Sequence, residues 1–200
     1  MALVPVDLPS PLEMRARWAA HSAVMAALGY GDSANADRGP WYYDDGGGNW
    51  AELHRLDGDR AVLLGHDHEY SDTYYNLAAE YFGEDETDLL AGAPDWWGEP
   101  VRATEEPGRW IGFVYGYADG EWQRVPYDLH DGFTSVNPPL VSDERCRELI
   151  AAFTKRSEDD AAIGALIAAD GAVTEEQVAA VVDESKDAAA GVVAARRFLD

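Results

Sequence analysis

Two hundred residues, 46% of them hydrophobic, suffice for a packed core and exclude a disordered chain. Thirty-eight acidic residues against fifteen basic ones leave a formal charge of −23, which disfavours phosphate backbones and anionic lipid surfaces, so neither nucleic acid nor membrane is an expected partner. Cys146 is the single cysteine, no stretch approaches the ~20 apolar residues of a membrane span, and the first residues lack a basic-then-apolar leader pattern; the expected compartment is the cytoplasm.

In chain order, the first predicted element is a helix. Ser10-Pro11-Leu12-Glu13 offers a Ser cap, Pro at the first helical position and Glu three residues after the cap, and Gly29 stops the run near Leu28. Its apolar stripe is imperfect. Trp41-Tyr42-Tyr43 reads as a short strand between loop-like segments. Residues 49–56 and 60–64 flank Asp57-Gly58-Asp59, a strong hairpin signal, and the apolar run 61–64 predicts a central strand with both faces covered. Helices are expected over 73–82 and 86–91. A second hairpin is expected over 110–117 and 121–125 around Ala118-Asp119-Gly120. There Ile111, Phe113, Tyr115 and Tyr117 share one face by alternation.

All seven tryptophans and all ten tyrosines precede Pro138-Pro139, after which alanine dominates. The formal charge is −17 over 1–140 and −6 over 141–200. The predicted organisation is an aromatic-rich body over 1–140 and a helical extension over 141–200, with helices near 142–155, 158–169, 174–182 and 184–198. Thr174 and Gln177 fit a capping box. The fold class is therefore α+β: an antiparallel sheet built from two hairpins with packed helices, followed by an α-helical C-terminal extension. The helix pairs of the extension lack the basic residues that DNA recognition requires.

Two groups of residues carry chemistry. His66-Asp67-His68-Glu69 follows the strand 61–64, and two imidazoles beside carboxylates suit Zn²⁺ or another divalent metal, with His54 on the partner strand and Asp72 as further ligands. Such a centre would lower the pKa of bound water and support a metal-dependent hydrolase. Against it, no established metal pattern matches, and Ser71 or Asp72 equally suits a helix cap. The second group is aromatic and acidic: Trp96, Trp97, Trp41, Tyr42 and Asp95 would form a patch for a basic protein partner if they converge. With no complete catalytic set, the sequence favours a non-enzymatic acidic binding module, an adaptor or neutralising partner of a basic protein. The hydrolase and an oligomer formed through the helical tail are the alternatives, and the charge by itself also reads simply as solubility.

Overall fold

The computed structural model describes residues 2–37 and 39–200. The strands are β1 (Val4–Val6), β2 (Ala34–Asn35), β3 (Trp41–Asp44), β4 (Trp50–Leu56), β5 (Arg60–His66), β6 (Phe113–Ala118) and β7 (Glu121–Arg124). They form an antiparallel sheet in the order β1-β7-β6-β5-β4-β3-β2, so the fold is α+β. The helices are α1 (Pro11–Leu28), α2 (Leu77–Phe82), α3 (Gly98–Thr104), α4 (Phe133–Val136), α5 (Asp143–Thr154), α6 (Ala161–Ala168), α7 (Glu175–Ala179) and α8 (Ala188–Arg196). The chain divides into two compact units, each discontinuous in sequence. One joins the residues up to Ser10 to Asp44–Val136, and the other joins Pro11–Tyr43 to Asn137–Asp200.

The first unit holds both predicted hairpins. β4 and β5 pair from Trp50 opposite His66 to Leu56 opposite Arg60. Gly58 and Asp59 take left-handed φ of 77° and 56° in the three-residue turn between Leu56 and Arg60. Between β6 and β7, Asp119 and Gly120 form a two-residue turn at 54° and 85°, the geometry that matches the strand twist. β5 lies between β4 and β6, and Ala61–Leu64 are fully buried, as an unbroken apolar run demands. The two faces of β6 have different covers. Phe113 and Tyr115 pack against Phe133 of α4, with ring centroids 5.2 and 5.3 Å apart. On the other face Trp97 presses on Gly116, where a Cβ would lie 2.1 Å from the indole Cε2. Trp97 is 1% exposed and has no room to retreat, so Gly116→Ala is expected to cost about 1–3 kcal/mol by overpacking, read from the urea midpoint. An unchanged midpoint would show that the ring has slack.

Residues 67–72 turn the chain away from β5. The Asp67 Oδ1 accepts from the backbone N–H groups of Glu69 and Tyr70, and the Ser71 hydroxyl donates to the Asp131 carbonyl while accepting from Asp67 N. The Asp131 carboxylate accepts from Tyr115 at 2.6 Å and from Tyr127 at 2.7 Å. Burial first, then that carboxylate, pushes both phenols well above their ordinary pKa. The predicted helix over 73–82 forms only from Leu77: the Thr73 hydroxyl is committed to the Gly112 carbonyl, and Asn76 sits at φ 42°. Residues 86–88 are irregular and 89–92 form a turn in place of the expected helix. Their acids repel one another, and no apolar stripe offsets the loss of chain entropy.

In the second unit α1 is surrounded, and Trp18–Met25 are all buried, which explains its lack of a single apolar stripe. Gly191 of α8 allows the closest approach: a Cβ there would lie 2.6 Å from the Ala23 carbonyl oxygen. Trp18, Trp41 and Phe198 form an aromatic core with centroids 5.4–6.5 Å apart, and the Trp18 indole donates to the Tyr42 carbonyl. Arg15 makes two hydrogen bonds to the Asp170 carboxylate. Thr174 and Gln177 form the expected capping box at the start of α7. The apolar faces of α5–α8 are thus packed with α1 inside this unit. No helix among the described residues is long and apolar enough to cross a membrane.

Candidate functional site

The histidines of the sequence pattern occupy three different environments. His66 ends β5, half-buried, with an Nδ1 that is buried and unpartnered. Burial pulls its pKa down to about 4, against the opposing pull of Asp67 and with help from His68. His68 is exposed beyond the strand end, and its ring Nδ1 and backbone N–H both meet the Asn49 side-chain oxygen at 3.0 Å. Asp72 is exposed in the loop, its N–H donating to the His130 carbonyl. His54 pairs with Val62, four residues along the strand from His66, so at about 3.3 Å per residue the two backbones lie ~13 Å apart. Among the described residues, no group of three or more His, Cys, Asp or Glu side chains is placed to hold a metal ion.

His54 belongs instead to a network around Glu52, a carboxylate only 7% exposed on β4. The His54 Nε2 lies 3.2 Å from Glu52 Oε2 and 3.1 Å from the Thr104 hydroxyl, which itself donates to that carboxylate at 3.0 Å. Arg109 donates to the other carboxylate oxygen, and its guanidinium lies over Trp50, 4.2 Å from the ring centroid. Burial raises the Glu52 pKa, but hydrogen bonds from His54 and Arg109, the Arg109 charge and Thr104 outweigh it and hold the carboxyl below its ordinary value. Hydroxyl, imidazole and carboxylate together resemble a nucleophilic relay. A relay, however, needs hydroxyl and carboxylate on opposite ring nitrogens, and here both meet Nε2. The arrangement serves to neutralise a buried charge.

The structure distributes the aromatic candidates between both units. Trp41 is buried with Trp18 and Phe198, and Tyr42 is half-buried beside it in sequence. Trp97 is buried on Gly116, and Trp96 is half-buried with Arg60 5.4 Å from its centroid. Asp95 is exposed and lines an open cavity of about 380 Å³ with Arg102, Leu90, Ala93, Pro94 and Gly98.

A different set of rings is exposed together. Tyr81 is 72% and Phe82 50% exposed at the end of α2. Their rings are 4.9 Å apart, Trp110 lies 5.0 and 5.7 Å from them, and Tyr74 lies 5.7 Å from Phe82. Glu105 fixes α2 in place, its carboxylate accepting from the Asn76 amide at 2.9 Å and from the Leu77 N–H at 3.4 Å. The surroundings are acidic. Residues 61–101 contain ten carboxylates and no Lys or Arg, and Glu80, Glu84, Asp85, Glu86 and Asp88 are all exposed. That field is felt at Tyr75, whose pKa is raised by burial and then by Glu105, Asp88 and Glu86. The adjacent Tyr81-Phe82 pair before an acidic run was the available sequence signal; Trp110 joins it from twenty-eight residues beyond Phe82. Comparison with known protein families, curated proteins and solved structures finds no match for this chain.

Proposed function

We propose that this chain is a non-enzymatic, cytoplasmic binding module that presents the Tyr74, Tyr81, Phe82 and Trp110 face to a basic protein partner. The observation that carries the reading is the exposure of two large aromatic side chains inside a segment with ten carboxylates and no Lys or Arg. Exposed aromatics supply binding area at small entropic cost, and the surrounding charge selects and steers a cationic surface. Asp95, at the cavity, is one more acid of the same segment.

A photo-crosslinking residue placed at position 85 tests the reading in the full chain. The expected product joins the protein to a partner with a basic contact surface. Its yield falls as salt rises from 0.1 to 1 M, where the screening length shrinks from about 10 to about 3 Å. Tyr81→Ala/Phe82→Ala is expected to reduce the partner's affinity at least about tenfold, the loss of one hot spot or more. Capture that is insensitive to both salt and the double variant would overturn the proposal.

A further inference from the structure

Among the described residues, Arg109, Arg124 and Arg60 lie over aromatic rings, and each also donates to oxygen. Arg109 covers Trp50 at 4.2 Å while bonding the Glu52 carboxylate. Arg124 covers Tyr127 at 4.2 Å while donating to the Val125 and Tyr127 carbonyls. Arg60 lies 5.4 Å from Trp96 while its Nε donates to the Asp57 carbonyl. In each, the guanidinium serves a ring and oxygen acceptors at once; its planar fork suits that combination, which a compact, strongly hydrated ammonium does not reproduce.

The exposed face carries the other two components of that arrangement. Phe82 stands edge-on to Tyr81 and to Trp110, at 86° and 70°, and holds them as a tilted pair at 32° with Tyr81 largely open to solvent. Carboxylates follow directly at Glu84, Asp85, Glu86 and Asp88. Among the described residues no Lys or Arg lies over Tyr74, Tyr81, Phe82 or Trp110. We infer that the partner engages this face through arginine side chains in preference to lysine, with a guanidinium stacked on the Tyr81–Trp110 pair and its N–H groups directed to the carboxylates of residues 84–88. This inference rests on the binding reading above and specifies the chemistry of the partner.

Fluorescence anisotropy with labelled nona-arginine and nona-lysine peptides, using the full chain, tests it. Nona-arginine is expected to bind about tenfold more tightly than nona-lysine, the scale of a desolvated cation–π contact. Tyr81→Ala and Tyr81→Leu should each bring nona-arginine to the lysine level and leave nona-lysine unchanged. The leucine variant keeps apolar bulk and loses only the ring, and circular dichroism verifies that both variants fold. Glu84→Gln/Asp85→Asn/Glu86→Gln should weaken both peptides, whereas Glu175→Gln/Glu176→Gln on α7 should weaken neither. Equal affinity for the two peptides, or a preference retained in Tyr81→Leu, overturns the arginine inference. If the carboxamide variant still weakens binding in that case, the acidic-face reading survives. Failure of both peptides to bind, or equal weakening by the α7 variant, overturns both.

Discussion

Lowering the pH from 6.5 to 4 is expected to cost the protein about 3 kcal/mol of stability through His21 alone. His21 lies on α1, 1% exposed, with both ring nitrogens buried and unpartnered. Tyr43 and Phe153 pack against it edge-on, with centroids 5.8 and 6.4 Å away. Burial, reinforced by the Arg145 charge, pulls its pKa from 6.5 to about 4. The neighbouring Cys146 thiol offers no compensating negative charge, because burial and then Asp143 push it up to about 12. Above pH 6.5 the imidazole is neutral in both folded and unfolded chains and the pH term vanishes. Between 6.5 and about 4 only the unfolded chain takes up the proton, so stability falls with pH, and below about 4 the loss levels off. His21→Leu removes the term and also two unsatisfied polar atoms. Its advantage over the parent, from urea unfolding, should therefore be small at pH 7.5 and grow steadily toward pH 4. A constant difference across that range would mean that His21 is not held neutral by burial.

The second large effect is expected at Arg109. Arg109→Ala leaves the buried Glu52 carboxylate without its guanidinium partner, holding only the hydrogen bonds to His54 and Thr104, and should cost about 3–5 kcal/mol at pH 7. The penalty comes from the stranded charge and therefore depends on pH. Glu52 has a depressed pKa in the folded parent, so the stability it contributes is present above the ordinary carboxylate value and lost as pH falls through the folded one. The gap between parent and Arg109→Ala should narrow as the pH falls through the acid range and Glu52 protonates in both. Arg109→Lys should recover only part of the loss, because an ammonium keeps the charge but not the flat contact with Trp50. A gap of equal size at pH 7 and pH 3 would assign the cost to lost packing.

Both hairpins were legible because their information is local: Gly and Asp neighbours at 58–59 and 119–120 supply left-handed turn geometry, and the apolar runs beside them set the register. The C-terminal helices were legible for the same reason, through caps such as Thr174 and Gln177. The helix over 73–82 came out short because Thr73 answers to Gly112, a partner thirty-nine residues away. The candidate site was less accessible to sequence reading. Trp96-Trp97 stands out in the sequence, but its environment is set by Gly116 and Arg60 on distant strands. His54 is drawn to Thr104 across fifty residues rather than to His66 twelve positions on. Tyr81, Phe82 and Trp110 become a surface only when the strand leading from Trp110 is brought beside α2, and no periodicity records that.

The close contact between α1 and α8 has a consequence during synthesis. About 160 residues separate Leu28 from Ala188, and at roughly 5–20 residues per second the ribosome needs on the order of 8–30 s to deliver the second helix after the first. Throughout that interval Ala23 awaits Gly191, and Trp18 awaits Phe198. A nascent chain halted after residue 140 should accordingly recruit chaperones that bind apolar segments, and release them once residues through Phe198 have emerged.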